Sequence, residues 1–477
     1  MLIQDHLKEM FSVIYTPTEG QAIQEYSRLF RKPEGCFLDI FEQDKIESHL
    51  AQWASPEDID YIVVTDSEEI LGIGDQGVGG ILISVAKLVL TTLCAGVHPN
   101  RTLPVVLDCG TDNEDLLKDD LYLGVKRHRV RGKQYDDFVE GFVKSARNLY
   151  PRAYIHFEDF GVGNARRILE KYRPHMACFN DDVQGTGVIT LAAILGGLRL
   201  SKQELSGLKM VVFGSGTAGI GIADQVRDAI SAECNVSKDH AARQIWCIDR
   251  QGLLLKSHGE SLSSAQAPYA KEDSEWSDKS NDLLSVVKQI KPNVLIGTST
   301  KPKSFTEEIV KEIARHVDRP IILPLSNPTR LHEADPHDIH NWTDGKAIIA
   351  TGSPFPPVQV NGKERDIAEC NNSTCFPGIG LGVVLSNASR LSDKMLYAAA
   401  NALAAQSPAL QDDTKGILPD VADVRELSVL VAKAVIKQAI DEKLTQVEGI
   451  PPEDGELEEW IRAQMWEPRY RELKYAE

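Results

Sequence analysis

MVVFGSGTAGIGIADQVRDAI, residues 210–230, is the stretch that decides the fold. The apolar run Met210–Phe213 reads as a strand. It leads directly into the glycine loop Gly214, Ser215, Gly216, Thr217, Ala218, Gly219, which opens a helical pattern. Such glycines let the backbone turn tightly and approach a pyrophosphate, and the free N–H groups at the helix start receive it. The next strand-like run, QIWCID, ends in Asp249, a carboxylate suited to ribose hydroxyls, with Arg250 beside it. Asp249 favours NAD, while Arg250 leaves NADP open as a partner for a 2′-phosphate. Asp249 lies 30 residues past Gly219. The usual spacing is about 20, so the SKDHAA segment must lengthen the connection.

A second glycine pattern, Gly72, Gly74 and Gly77, follows YIVVTD and a short EEIL segment. Either loop also reads as a tight turn with close helix–strand packing. The Gly214 copy is preferred because its strand runs straight into the loop. Working outward, YIVVTD, LPVVLDC and AYIHFEDF form one series of short apolar runs ending in carboxylates. MVVFG, QIWCID, NVLIG, PIILPLS and AIIATG form another. Helical patterns separate them, which predicts an α/β fold with parallel sheets. Ser304 with Glu307 suggests a capping box opening FTEEIVKEIARHV. Residues 255–282 read as a polar surface excursion, 395–441 as helical and VEGIPPEDGELEEW as an acidic linker. The last stretch is expected to pack as a tail that covers Trp460, Trp466 and Tyr470.

The chain has 477 residues. One core rarely exceeds about 250–300 residues, so at least two domains are expected. A net charge of −18 repels phosphate backbones and argues against nucleic acid as a partner. No apolar run approaches the roughly 18–20 residues that span a bilayer, and no membrane partner is expected. The N-terminus lacks a secretory pattern and is too acidic for a transit peptide. The 8 cysteines are scattered without a CxxC pair, which reads as reduced intracellular thiols.

Paired carboxylates stand at two strand ends, Glu158 and Asp159 in HFEDF, and Asp181 and Asp182 in CFNDDVQGT. Either pair alone reads as loop carboxylates or helix caps. Four such groups converging would need a cation among them. An all-oxygen donor set suits Mg²⁺ or Mn²⁺ better than zinc. Neighbours in a regular strand point to opposite faces, so both members of a pair can coordinate only if the backbone bends. Lys87 sits in the apolar helix ILISVAKLVLTTLC, where it either snorkels to solvent or becomes a desolvated base. Tyr15 in VIYTPTEG reads by itself as a packed aromatic. Asn327, Asn371 and Asn372 follow predicted strands, and their amides suit a carboxamide or a carboxylate.

Together these segments resemble the large-subunit type of malic enzyme. The matching stretches are VIYTPTEG, VVTDSEEILGIGDQGVGG, LPVVLDCGTDNEDLL, FEDFGVGNA, FNDDVQGTG, GSGTAG, PLSNPT, ATGSPF and CNNSTCFPGIGLG, in family order across about residues 12–470. The resemblance implies oxidative decarboxylation of L-malate to pyruvate and CO₂, with reduction of NAD(P) and a divalent metal. It implies that Lys87 is the general base and Tyr15 the general acid that protonates the enolate. It gives Glu158, Asp159 and Asp182 as metal ligands and Asp181 as a supporting acid–base group. Asn327 and Asn371 or Asn372 lie near nicotinamide and substrate in this reading, and the Gly214 loop binds the dinucleotide. The implied division is an N-terminal helical remnant over 1–33 and a substrate and metal domain over 34–180 with 372–440. A Rossmann-like domain over 181–371 and a C-terminal tail over 441–477 complete it.

Two departures stand out. Many members carry arginine where this chain has Glu69, and a carboxylate cannot grip a substrate carboxylate. Another cation must serve, or Glu69 faces away. Only 14 residues precede Tyr15, where family chains carry several helices. Homo-oligomerisation, usual in the family, is therefore expected to be altered. Cytoplasmic location is expected, or mitochondrial if a leader is missing. Two alternatives remain at this point: a malolactic-type conversion of malate to lactate, and a non-catalytic dinucleotide-binding protein.

Overall fold

The computed structural model describes residues 2–29, 32, 34–276, 280–470 and 474. The chain forms two compact units, the first comprising Met1–Phe179, Phe376–Leu391 and Val421–Glu477, the second Asn180–Cys375 and Ser392–Asp420.

The first unit is built on β1 (Cys36–Asp39), β2 (Tyr61–Thr65), β3 (Thr102–Asp108), β4 (Tyr154–Phe157) and β5 (Cys178–Asn180), in the order β1-β3-β2-β4-β5. β1 and β2 run parallel to β3, and β4 runs parallel to β2. Every residue of β2 and β4 is buried, as expected for strands covered on both faces. The helices Ile81–Ala95, Phe376–Ser386 and Val424–Asp441 pack together in this unit. FPGIGLG permits this closeness, because a Cβ at Gly382 would lie 2.8 Å from the Val435 Cβ. A helical glycine is worth about 1 kcal/mol less than alanine, so this apposition is what justifies it.

Two expectations about chain segments are corrected. Helices Gly77–Ala95 and Asp181–Ser201 do reach membrane length and apolarity, but 83% of each is buried inside the protein, as core helices are. The acidic stretch after Val447 is no mere linker, since Asp454–Gln464 is a helix that buries Leu457 and Ile461. Beyond it Trp466 donates its N–H to the Gly96 carbonyl at 2.6 Å, whereas Tyr470 is fully exposed.

The second unit carries β6 (Met210–Phe213), β7 (Ile245–Asp249), β8 (Gly252–Leu253), β9 (Val294–Gly297), β10 (Ile321–Pro324) and β11 (Ile348–Thr351). A separate hairpin of β12 (Val358–Val360) and β13 (Lys363–Arg365) precedes β14 (Ala368–Glu369). The main sheet runs β14-β11-β10-β9-β6-β7-β8, parallel except for β8 against β7. This is the expected Rossmann-like α/β architecture. Val211, Leu295, Ile322 and Ile349 occupy neighbouring strands and pack with Ile309, Val310 and Ile313 of the helix Glu307–Ala314 in one core. Thr306, rather than Ser304, caps that helix. Ligands in such sheets collect at the carboxyl ends of the strands.

Candidate active site

In the first unit, Lys87 projects from the helix Ile81–Ala95 and does not snorkel to solvent. Its Nζ lies 3.1 Å from Glu158 Oε1, with the two side chains 3% and 2% exposed. The same ammonium is 4.9 Å from the Phe376 ring and 5.5 Å from the Tyr15 ring. Tyr15 is buried, follows the helix Leu7–Ile14 and meets Phe11 edge to face at 5.7 Å. Glu158 Oε2 is 2.7 Å from His156 Nε2, and His156 Nδ1 is 3.0 Å from Tyr61 Oη. A carboxylate can only accept, so Nε2 carries a proton toward Glu158. This chain of contacts fixes the rotamer of Glu158.

The bend that paired coordination requires is present. Asp159 follows β4 with φ 51, a left-handed conformation uncommon for a residue other than glycine. Its Oδ2 accepts from the Leu71 N–H at 3.1 Å, and its carbonyl accepts from the Glu69 N–H at 3.3 Å. The Gly72 loop is thus tied to Asp159 at the end of β4. Asp75 accepts from Arg129 Nε at 2.6 Å and Nη2 at 2.8 Å, and from the Asp112 N–H at 2.8 Å. The Glu69 side chain is exposed, and burial of its inner part raises its pKa, with Glu68 and Asp75 adding to the effect.

Glu19 is a feature that sequence reading missed. It is 6% exposed, and among the described residues neither carboxylate oxygen has a hydrogen-bond partner. Burial pushes its carboxyl well above the usual range, Lys87 opposes that shift and Glu158 reinforces it.

In the second unit, Asp181 is buried and its side chain folds back over Gly185, where any Cβ would collide with it. Asp182 is half-buried. Asn372 Nδ2 donates to the Asp181 carbonyl at 3.3 Å and to Thr186 Oγ1 at 3.2 Å. Asn371 instead turns its Oδ1 to the Ser373 hydroxyl at 2.7 Å. Asn327 follows β10, is exposed, and accepts from the Ser353 hydroxyl.

The Gly214 loop borders a cleft of about 1320 Å³. Gly214 has φ 105, and a Cβ there would strike the backbone of Thr298 and Ser299. Only glycine fits that crossing. Gly214, Ser215 and Gly216 line the cleft, and Gly216 precedes the helix Thr217–Cys234. Within the loop Ser215 donates to the Ile248 carbonyl at 3.0 Å, whereas Gly219 packs on the Gly214 carbonyl. Thr217 and Ala218 form the start of the helix. The long 18-residue helix and the short helix Lys238–Ala242 account for the extended spacing to Asp249.

Asp249 lines the cleft, and its Oδ1 accepts from the Arg250 N–H at 2.8 Å. Gln266 Nε2 donates to Asp249 Oδ2 at 2.9 Å and to the Ser215 carbonyl at 3.0 Å. The supposed surface excursion is corrected accordingly, since Ser261, Leu262, Gln266, Asn281 and Asp282 all line the cleft. Lack of periodicity hid this, because an irregular segment has no face to read.

Comparison with known proteins fits this geometry. Residues 1–173 match the family model "Malic enzyme, N-terminal domain", and residues 183–440 match "Malic enzyme, NAD binding domain". The chain belongs to the malic enzyme family. It is 49% identical to the mitochondrial NAD-dependent malic enzyme of Saccharomyces cerevisiae, covering 99% of this chain and 72% of the yeast protein. It is 47% identical to NAD-dependent malic enzyme 3 of Bacillus subtilis, covering 99% of this chain and 84% of that protein. Among solved structures, the malic enzyme of Entamoeba histolytica matches with a TM-score of 0.64 at 22% identity, over 95% of this chain and 81% of that one.

For the family's cofactors, the donor chemistry of this chain fits. The Gly214 crossing and the anchored Asp249 carboxylate suit a dinucleotide. Glu158, Asp159, Asp181 and Asp182 offer hard oxygen donors of the kind Mg²⁺ and Mn²⁺ take.

Proposed function

We propose that this chain oxidises and decarboxylates L-malate to pyruvate and CO₂, reducing NAD, with a divalent metal. The buried 3.1 Å pair of Lys87 and Glu158 next to Tyr15 is the observation that carries this reading. Glu158, Asp159 and Asp182 are the residues we assign to the metal, with Asp181 in support. β4, which runs into Glu158 and Asp159, and β5, which runs into Asp181 and Asp182, are neighbours in one sheet. A bound divalent ion would polarise the C2 oxygen and stabilise developing enolate charge.

The chain's own groups divide the proton work. Lys87, once its ammonium has given up a proton, accepts the C2 hydroxyl proton as the neutral amine while hydride leaves C2 for the nicotinamide. After CO₂ departs, Tyr15 protonates C3. The overall reaction returns to C3 the number of protons taken from oxygen, so we assign the reprotonation of Tyr15 to Lys87, whose Nζ is 5.5 Å from the centre of the Tyr15 ring. His156 and Tyr61 hold Glu158 in place meanwhile. Asn327, Asn371 and Asn372 are assigned to the nicotinamide and substrate side. Asp249, anchored by Gln266, supports NAD in preference to NADP. We further propose a homo-oligomer in a reducing compartment, which suits eight unpaired cysteines.

The test follows absorbance at 340 nm with L-malate, Mn²⁺ and either NAD or NADP, with pyruvate and lactate quantified. Metal-dependent NADH matched by pyruvate is expected, with NADP slower. Lactate without NADH would point to the malolactic conversion, and cofactor binding without turnover to a binding protein.

A further inference from the structure

Glu333 lies on the segment that follows β10 and is fully buried. Hydrogen-bond donors, rather than a cation, hold its carboxylate. Oε1 accepts from the Ser299 N–H at 2.8 Å, the Ser299 hydroxyl at 2.8 Å and the Ser326 hydroxyl at 2.5 Å. Oε2 faces the Ser326 N–H at 3.4 Å. A carboxylate with several donors is stable in a buried site, and it orients those donors in return.

These donors belong to the two loops that leave β9 and β10. Thr298, Ser299, Lys301 and Lys303 line the dinucleotide cleft, and Ser326 precedes Asn327. The clamp extends along the backbone. Phe305 donates its N–H to the Glu333 carbonyl at 2.9 Å, and Lys303 donates to the His332 carbonyl at 3.2 Å. Thr300 donates its N–H to Ser326 Oγ at 2.8 Å, joining the two loops to each other. Thr298 Oγ1 donates to the Gly214 carbonyl at 2.6 Å, which joins them to the glycine loop. A Cβ at Gly297 would lie 2.5 Å from the Glu333 carboxyl carbon, so the end of β9 is shaped to admit this side chain.

We infer that Glu333 is a positioning residue for the dinucleotide: through Ser299 and Ser326 it sets the two strand-end loops against which the cofactor lies. This inference rests on the reading of the cleft as the NAD site. Glu333 touches no reacting atom. It acts by holding Ser299, Thr300 and Asn327 in one arrangement, so its loss misplaces the nicotinamide relative to C2 of malate. Small misplacements slow hydride transfer steeply.

The experiment compares the full-length chain with Glu333→Gln and Ser299→Ala. NADH affinity is measured by fluorescence titration, alongside kcat and KM for NAD and malate, thermal unfolding, and the deuterium isotope effect with malate labelled at C2. Glutamine retains one acceptor but aims an N–H₂ group at serine donors. The expected result for Glu333→Gln is a tenfold or greater weakening of NADH binding and a similar fall in kcat. The isotope effect should rise and KM for malate should stay within about twofold. Ser299→Ala, which removes one donor and keeps the carboxylate, should move the same quantities less. Unchanged NADH affinity and isotope effect with only a lowered unfolding temperature would overturn the inference and leave Glu333 a structural residue. Failure of the unsubstituted chain to bind NADH would instead overturn the NAD reading of the cleft, and this inference with it.

Discussion

Lys87 Nζ and Glu158 Oε1 form an ion pair across 3.1 Å, with less than a twentieth of either side chain exposed. Both charges depend on the other, because removing one partner of a buried pair leaves an uncompensated charge, typically at about 3–5 kcal/mol. Lys87→Met should therefore lower the unfolding temperature by several degrees and reduce malate oxidation by about 10²–10⁴-fold. Adding Glu158→Gln to it should recover part of the stability and none of the activity. Thermal unfolding and the NADH assay on the two variants and the unsubstituted chain check this. Recovered activity in the double variant would remove Lys87 from the proton work.

Glu19 predicts a pH dependence of stability on the alkaline side. Its folded pKa is raised, first by burial, so its contribution is complete below the unfolded value of 4.5 and is lost as pH rises toward the folded one. Glu19→Gln removes this loss. The variant should unfold at a higher temperature than the natural chain at pH 8, and the difference should shrink toward pH 4.5. A constant difference across that range would mean that Glu19 does not titrate abnormally.

His340 predicts the opposite trend in acid. Burial lowers its pKa from 6.5 to about 4, with Arg365 and His337 contributing. The stability it supports is present above pH 6.5 and lost as pH falls through 4. The linked loss is about 3 kcal/mol at full extent. His340→Gln should flatten that part of the stability profile, as read by urea unfolding at pH 7, 5.5 and 4.

Gln266 predicts a change in cofactor affinity without a change in chemistry. Gln266→Ala frees Asp249 Oδ2 and the Ser215 carbonyl together. A hydrogen bond to a charged group is worth about 1.5–3 kcal/mol, so KM for NAD should rise about tenfold or more. The value of kcat at saturating NAD should change little. Equal losses in kcat and kcat/KM would place Gln266 in the hydride-transfer step instead.

Much of this was legible in the linear chain where the signal was local. The run from Met210 into the Gly214 loop identified a strand, a turn and a helix within twenty-one consecutive residues, and the second unit has them there. The preference for Gly214 over Gly72 agrees with the NAD-binding family model, which covers residues 183–440, and with the cleft that Gly214 lines. The carboxylate pairs were visible as strand-end residues. His156 was within reach too, since it stands two residues before Glu158 on the same strand and alternation puts them on one face. Gln266 was not, because it lies in a segment without period.

The sequence by itself determined the α/β class, the dinucleotide loop, the acidic strand ends and, through its motifs, the family. Each of these depends on residues a few positions apart, where backbone periodicity and turn chemistry act directly. Tertiary structure decided which side chains those residues face. It brought Lys87 to Glu158, buried Glu19 without a hydrogen-bond partner among the described residues, bent Asp159 into a left-handed conformation, and set Gln266 and Glu333 around the cleft. The physical reason is desolvation: a charge or amide acquires its partner and its pKa only when segments distant in sequence exclude water from it.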